Sequence, residues 1–366
     1  MTRVPVIRIA LVAVAAFVAA IYLGFGILTA RETLGCDFFV YRAAAEHFLA
    51  GQPIYDRSIT STGSCNLYYY PPPFVLIAVP FALPSPEIGN AAWMAFLVVC
   101  YVAGCLSMPV RWEVKLAIFL LGAVSWPFIF GVRIGQVAPI LFLLFAVGWR
   151  YVERPVVTGV SAGLGVLVKL QPIVVLGWLA ARRSWSGVVA GVAAAVGVSA
   201  VAAAVGLGSW PEMVSVLRGL NNALDAPANI SLGAMAYQHS LGLQVASAVS
   251  TIGTIAVLGL VVACAIASSA EAGFLVAVVA SQLVSPIIWT HYALILLLPT
   301  AWLLQRRHWW AVLVPLSQAW VLLPFMPIEI YPIGFYALLV AVPLVDWRQR
   351  RRREAAVVPH GVPSRA

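Results

Sequence analysis

Charged residues are scarce in this chain, and their scarcity excludes a water-soluble body. Only 10% of the 366 residues are charged, whereas 62% are hydrophobic and the mean hydropathy is +0.96. So few polar side chains cannot cover the surface that a soluble protein of this size presents to water. Since the apolar runs have the length of membrane-spanning helices, the composition predicts an all-α polytopic membrane protein.

Cysteines are also few, and their spacing excludes the common metal patterns. The chain has five cysteines and no C-x-x-C pair. Cys100, Cys105 and Cys264 fall in predicted spans, where a thiol packs as a small hydrophobe. Cys36 and Cys65 fall in one predicted outer loop, where an oxidising compartment permits a disulfide. A bridge there would contribute on the order of 3 kcal/mol, and at this point the bridged and free forms stay equally open.

The apolar runs predict about twelve membrane spans, with both termini in the cytoplasm. They form one transmembrane domain over residues 1–347, followed by a basic cytoplasmic tail over 348–366. The first run is about 23 residues long and lacks a clear cleavage site, which favours a retained helix over a signal peptide. The predicted spans are 7–29, 88–107, 114–131, 136–149, 156–168, 172–181, 186–208, 243–268, 271–288, 290–304, 309–325 and 331–346.

The positive charges support this orientation. The chain carries 22 Lys and Arg and a net charge of +9. Sixteen of them lie on the cytoplasmic side, as the positive-inside rule requires. The arginines of the tail abut the last span without interleaved aromatic residues, so they indicate an orientation anchor and argue against a nucleic-acid partner. The six outside are Arg31, Arg42, Arg57, Arg133, Lys169 and Arg218.

The predicted outer face holds the long connections. Residues 30–87 and 209–242 form two large outer loops, whereas the inner loops are mostly a few residues long. Because connections that short cannot host chemistry, the sequence places a functional site on the outer side of the membrane. Within these loops, Phe38–Leu49 and 210–224 are predicted to be short amphipathic helices on the membrane surface.

One predicted hairpin is too short to cross the membrane. A single helix over 156–181 would move Arg182 and Arg183 to the outside, whereas a break at Lys169–Pro172 keeps them inside, and Pro172 disfavours helix at this point. Arms of about 13 and 10 residues cannot cross a core about 30 Å thick. Backbone that ends inside the membrane must line a cavity, so the sequence predicts an outward-opening one.

A second hairpin, 114–149, is broken at Gly131–Gln136 in a similar way. The two breaks place Arg133, Gln136, Lys169 and Gln171 near the floor or wall of the predicted cavity. A cationic floor at the lipid boundary suits an anionic headgroup, such as a lipid phosphate. The alternative, that both cations only snorkel to the interface, is equally open at this point.

Other polar and aromatic clusters fall on the same outer side. The run Tyr68–Tyr70 before three prolines could stack on a sugar, although an interfacial aromatic belt is the more common use of such residues. Asn229 heads an N-glycosylation sequon and could instead offer its amide to a sugar hydroxyl. His291 at another outer turn shares its face with Asp37, which follows the first span.

Taken in order, these motifs resemble glycosyltransferase family 87. The resemblance covers residues 30–300, and its strength comes from the ordered set. Members of that family resemble GT-C-type enzymes, multi-span proteins that transfer a sugar from a polyprenyl-phosphate donor outside the bacterial cytoplasmic membrane, and characterised relatives include alpha-mannosyltransferases. The motifs are Asp37 with Tyr41-Arg42 and Leu49–Tyr55, then Tyr69–Pro73, Gly135-Gln136, Lys169–Pro172, Asn229–Ser231 and Ser285–His291.

The resemblance implies roles for individual residues. Asp37 would be the general base that deprotonates the acceptor hydroxyl, and Lys169 with His291 would meet the leaving lipid phosphate. Arg133 and Gln136 would assist them. The remaining residues would shape the substrate pocket: Tyr41, Arg42, Tyr70, Gln171, Asn229 and Trp289.

The implied partners are a polyprenyl-phosphate sugar, a glycolipid or envelope-glycan acceptor, and membrane lipid. Mannose is the favoured candidate for the sugar. No glycine-rich nucleotide loop or acidic metal pair is evident, which fits a lipid-linked donor and requires no cofactor. A divalent metal is not excluded, because Glu32 or Asp56 could contribute a ligand. Tyr292 departs from the double histidine sometimes found in the family, so the role of that position is open. Because the sequence shows no soluble acceptor-binding domain, we expect the outer loops or lipid to recognise the acceptor.

A secondary transporter or flippase is the alternative class, since twelve spans and broken helices also suit one. The two halves show no convincing repeat, and the polar residues crowd the outer edge instead of lining a path. A non-catalytic scaffold would not require Asp37, Lys169 and His291 to converge. The sequence therefore favours an enzyme.

Overall fold

The computed structural model describes residues 34–56, 58, 67–207, 210–219, 223–226 and 228–357, with four isolated positions before residue 34. Within these residues the protein is helical and forms no β-strand, which confirms the predicted all-α class. The α-helices are α1 (Cys36–Leu49), α2 (Val75–Ala82), α3 (Pro86–Ser107), α4 (Trp112–Ala123), α5 (Trp126–Ile134), α6 (Ala138–Arg150), α7 (Pro155–Val168), α8 (Ile173–Ala181), α9 (Trp185–Ala204), α10 (Trp210–Gly219), α11 (Leu232–Gln238), α12 (Leu243–Ala267), α13 (Ala270–Leu283), α14 (Leu297–Gln305), α15 (Leu313–Ser317) and α16 (Ile330–Val357). Short 3₁₀ helices cover Pro72–Phe74, Ala223–Asp225, Thr290–Leu296, Trp309–Val312 and Trp320–Phe325.

Four described helices are long and apolar enough to cross a membrane. They are α3, α9, α12 and the part of α16 up to Glu354, and each coincides with a predicted span. The full count of twelve predicted spans is not reproduced as continuous helices. Residues 309–325, for example, divide into three short pieces, and the chain leaves the helix at Ala319, whose backbone forms an isolated bridge with Ser125. The predicted first span, 7–29, lies almost wholly outside the described residues.

Both predicted hairpin breaks are present. Helix α7 ends at Val168, Lys169 is extended with φ −159° and ψ 143°, and α8 begins at Ile173 after Pro172. Helix α5 ends at Ile134 and α6 begins at Ala138, with Gly135 in the left-handed region at φ 81°. The predicted span 114–131 is itself interrupted, because α4 and α5 are separate helices.

Helix α1 corresponds to the helix predicted over Phe38–Leu49, and one face of it is buried within the protein. Its apolar face packs inside the protein, where the side chains of Phe38 and Tyr41 are fully buried. The ring of Phe38 lies 5.9 Å from that of Trp93, whose Nε1 donates to the carbonyl oxygen of Gly135. The amide of Gly35 donates to the carbonyl oxygen of Arg133, so the start of α1 is held against the α5–α6 turn. Aromatic packing, which a helical periodicity does not reveal, decides this position.

Helices α7 and α9 approach each other through glycines at a spacing of four. A Cβ on Gly159 would lie 1.8 Å from the carbonyl oxygen of Gly187, and one on Gly163 would lie 2.1 Å from that of Gly191. Small residues at this spacing let two backbones touch, which is a common way to associate helices in a membrane. The contact fixes α7, whose last residue precedes Lys169.

Replacing Gly163 by Ala is expected to destabilise the protein by about 1–3 kcal/mol, because the added methyl group overlaps backbone that cannot move aside. The measurement is the apparent melting temperature in detergent. Gly197→Ala, on α9, is the matched control, since a Cβ there meets nothing within 4 Å. An equal melting temperature for the two variants would contradict the close approach of α7 and α9.

Candidate active site

Asp37 lies in the first turn of α1 and is half-buried. Tyr41, one helical turn later, makes a side-chain hydrogen bond to its carboxylate. The hydroxyl oxygens of Tyr41 and Tyr70 are 2.8 Å apart in a further hydrogen bond, and their rings meet edge to face at 4.8 Å. The carboxylate is therefore held by a buried tyrosine that is itself fixed from two sides.

Lys169 lies at the break between α7 and α8, buried among tyrosines. Its Nζ donates a hydrogen bond to the hydroxyl of Tyr292. The same atom lies 3.9 Å from the ring centre of Tyr292 and 5.7 Å from that of Tyr70. Within the described part of the chain, no carboxylate makes a direct ion pair with it. A buried ammonium group without a contacting counter-ion is a favourable partner for an anionic ligand.

Asp37 and Lys169 influence each other through space. Burial raises the pKa of Asp37, while the positive charge of Lys169 and the hydrogen bond from Tyr41 oppose that rise. Burial lowers the pKa of Lys169, and the negative charge of Asp37 opposes that change. The site therefore pairs a carboxylate of increased basicity with an amine close enough for their charges to interact.

His291 is the second residue of the 3₁₀ helix Thr290–Leu296 and is buried within electrostatic range of Lys169. Neither of its ring nitrogens has a hydrogen-bond partner. Its ring lies 4.9 Å from that of Tyr292 and 6.0 Å from that of Phe130. The guanidinium of Arg133 lies 5.0 Å from the centre of the Phe130 ring, and its Nε is buried without a partner. These buried nitrogens of His291 and Arg133 can therefore form hydrogen bonds with a ligand.

A cavity of about 560 Å³ opens beside Lys169, and we call it the tyrosine cavity. Its wall is mainly apolar, and Ile173 also faces the outer surface of the bundle with 59% of its area exposed. Trp289 makes a side-chain hydrogen bond to Tyr69 at the cavity wall. The lining residues are Tyr69, Tyr70, Pro71, Lys169, Leu170, Gln171, Ile173, Leu217, Ala223, Val284, Ser285, Pro286, Ile287, Trp289 and Tyr292.

Two predicted substrate-binding residues are engaged with the protein itself. The guanidinium of Arg42 binds Glu46 and donates to the carbonyl oxygens of Phe81 and Pro84, at the end of α2. The side-chain oxygen of Gln136 accepts a hydrogen bond from the amide of Ala138, in the turn before α6. Both side chains therefore stabilise the elements that surround the site. Local sequence cannot reveal this, because the partners of Arg42 beyond Glu46 are about forty residues away.

The side-chain amide of Asn229 is also fully hydrogen-bonded within the protein. It is fully buried, its Nδ2 donates to the carbonyl oxygens of Ala223 and Pro286, and its Oδ1 accepts from the amides of Ser231 and Ile288. These four bonds use the whole capacity of a side-chain amide. Asn229 joins the second outer loop to the segment before His291, and its burial leaves the sequon no exposed acceptor.

Asn229→Ala is expected to lower stability by about 3 kcal/mol, because four buried backbone groups lose their partner together. The measurement is the apparent melting temperature in detergent. Gln238→Ala is the matched control, since that exposed amide donates one bond, to the carbonyl oxygen of Asn229, and should cost less than about 1 kcal/mol. Equal losses of stability for both variants would contradict the role of Asn229 in joining these two segments.

The structure adds two tyrosines to the site: Tyr69, which the sequence places in an aromatic run that could stack on a sugar, and Tyr292, whose role the sequence leaves open. Tyr292 receives the hydrogen bond from Lys169 and makes another with the side chain of Gln171. Tyr69 faces the cavity and bonds to Trp289. The sequence signal that could have assigned them to the site is their position next to Tyr70 and His291.

The cysteines and possible metal ligands add little to the site. Cys36 is disulfide-bonded, whereas Cys100, Cys105 and Cys264 are free, and Cys65 lies outside the described residues. Among the described residues, no three His, Cys, Asp or Glu side chains are grouped so that they could hold a metal ion. Glu32 also lies outside the described residues.

Comparison with known proteins identifies the family. No curated protein sequence matches the chain. The sequence profile of glycosyltransferase family 87 matches residues 68–288, which is more than half of the chain. The match includes Lys169 and Tyr70 but begins after Asp37 and ends before His291, so the geometry described above is what joins those two to the matched region. The chain belongs to glycosyltransferase family 87, a family of sugar-transferring membrane enzymes.

Proposed function

We propose that the protein transfers a sugar, with mannose as the favoured candidate, from a polyprenyl-phosphate donor to a lipid-linked or envelope-glycan acceptor. The reaction takes place on the outer face of a bacterial cytoplasmic membrane, in which a GT-C-type bundle keeps both termini inside. One observation carries this proposal: Lys169 is a buried cation without a contacting carboxylate, and it lies on an apolar cavity within electrostatic range of Asp37.

The proposed chemistry follows from the two charges. Asp37 takes the proton of the acceptor hydroxyl while that oxygen attacks the anomeric carbon with inversion. The bond from that carbon to the lipid phosphate breaks at the same time, and the phosphate leaves with its negative charge. Lys169 and His291 meet this charge, which lowers the barrier electrostatically. Burial raises the pKa of Asp37 and so makes it a stronger base than an exposed aspartate.

The apolar wall of the tyrosine cavity suits the lipid part of the donor. Leu170 and Ile173 line the cavity and are also exposed on the outside of the bundle. An isoprenoid chain could therefore extend past them into the bilayer while its phosphate stays beside Lys169. Tyr69, Tyr70 and Trp289 offer ring faces to the sugar.

The test is transfer by the purified protein in liposomes. The donor panel contains polyprenyl-phosphate mannose, the corresponding glucose compound and GDP-mannose, and the acceptors are membrane glycolipids. We expect transfer from a polyprenyl-phosphate sugar and none from the nucleotide sugar, with linkage analysis identifying the product. Transfer from GDP-mannose alone, or from no donor, would reject the proposal.

The activity should fall on acidification at a higher pH than an ordinary aspartate implies. The base must be ionised, so activity is complete above the pKa of Asp37 and is lost as the pH falls through it. Burial raises that pKa, hence the acidic limb should lie clearly above the usual value of about 3.9. The measurement is kcat/KM for the acceptor from pH 4 to 8. An acidic limb at or below pH 4 would contradict the assignment.

A further inference from the structure

A second cavity lies in the outer loop region, separate from the tyrosine cavity. Its volume is about 710 Å³, and its polar lining residues are Asp225, Tyr237, Gln238 and Ser240. All four of these side chains are exposed. The phenol of Tyr237 makes a hydrogen bond to the carboxylate of Asp225. We call this cavity the Asp225 pocket.

The side chains of the Asp225 pocket match the chemistry of a neutral sugar. A carboxylate accepts hydrogen bonds from neighbouring hydroxyl groups, an amide and a hydroxyl can both donate and accept, and a phenol ring offers a face for C–H groups. None of the described lining residues carries a positive charge, and Asp225 would repel a phosphate. The pocket therefore selects against the anionic donor group that suits Lys169.

The backbone of the pocket is held in an uncommon conformation. Four described residues other than glycine have positive φ, and two of them line this pocket, Ala228 at 56° and Ser240 at 63°. Ser240 directly follows the C-cap residue of α11, where a left-handed conformation is a common way for a helix to end. Here Gln238 donates to the carbonyl oxygen of Asn229, whose own side chain is fully bonded. These bonds hold the backbone on one side of the pocket.

The two cavities share one wall. Ala223 lines the tyrosine cavity, whereas its neighbours Leu224 and Asp225 line the Asp225 pocket. The Nδ2 of Asn229 holds this wall through the carbonyl oxygen of Ala223. A glycan in the Asp225 pocket would therefore contact the same 3₁₀ helix, Ala223–Asp225, that lines the tyrosine cavity.

We infer that the Asp225 pocket binds the glycan part of the acceptor, through sugar residues behind the one that receives the transferred sugar. The identification of this glycan as the acceptor rests on the proposed function, whereas sugar binding by the pocket does not depend on it. It gives the second outer loop the task of acceptor selection. The donor site and the acceptor site are then chemically distinct, one cationic and apolar, the other neutral to acidic and polar.

The first experiment measures binding without turnover. Saturation-transfer difference NMR on the full chain in detergent, carrying Asp37→Asn, uses methyl α-D-mannopyranoside as the probe. We expect a signal that is lost in Asp225→Ala and in Tyr237→Ala and retained in Glu87→Gln, an exposed outer carboxylate elsewhere. Melting temperatures confirm that each variant is folded. No signal from the parent, or equal signals from all folded variants, would overturn the inference.

The second experiment separates the pocket from the reaction. In the transfer assay, Asp225→Asn should raise KM for the glycan acceptor about ten-fold, while KM for the donor stays unchanged. An acceptor KM that is indifferent to Asp225 rejects the pocket and leaves the proposed function intact. Asp225-dependent sugar binding in a protein that transfers from no donor rejects the proposed function and leaves the pocket as a sugar site.

Discussion

Asp37→Asn is expected to reduce the rate of sugar transfer by about 10²–10⁴-fold, the usual contribution of a general base. The amide keeps the shape of the carboxylate and can still bond to Tyr41, but it cannot take a proton at neutral pH. The measurement is kcat and the two KM values in liposomes. Since Asp37 is a negative charge near Lys169, its removal should leave the donor KM unchanged or lower.

Asp37→Glu is the matched control for this prediction. It keeps the negative charge but moves the carboxylate by one methylene group, so it should retain part of the activity and an acidic limb in the pH profile. Undiminished transfer by Asp37→Asn would reject Asp37 as the base. A large rise in donor KM with unchanged kcat would show a binding role in its place.

Lys169→Met is expected to reduce transfer by about 10²–10³-fold, because the charge that develops on the leaving phosphate loses its cationic partner. Methionine keeps much of the length and apolar volume of lysine. In contrast to a core mutation, this one should leave the melting temperature unchanged or raise it, since burying a lone ammonium group is unfavourable. Activity and melting temperature together separate a catalytic loss from misfolding.

Lys169→Met has a second consequence, which concerns Asp37. The charge of Lys169 lowers the pKa of that carboxyl, so its removal raises the pKa further. The acidic limb of the residual activity should therefore move to higher pH. Lys169→Arg keeps the charge and should keep the limb near its original position, although the planar fork does not reproduce the point charge of an ammonium group. An unmoved limb in Lys169→Met would contradict the coupling of the two residues.

Much of the site could be predicted because broken helices have strong local signals. Pro172 and the short arms on either side of it indicated where Lys169 would lie, and the break is present between α7 and α8. The roles of Arg42, Gln136 and Asn229 could not be predicted in the same way. A polar side chain near a cavity in the sequence can face either the cavity or distant backbone, and only the folded chain decides which.

That the protein is a helical membrane protein follows from its amino-acid sequence, and its motifs indicate the family. Composition and apolar run length are enough for this, because hydrophobic burial and backbone hydrogen bonding in lipid allow few alternatives. The three-dimensional packing was needed to show that Asp37, Lys169 and His291 are connected through neighbouring buried tyrosines. Their contacts pass through Tyr41, Tyr70 and Tyr292, which come from three separate segments. Such packing depends on how side chains far apart in the chain fit together, and no local pattern contains it.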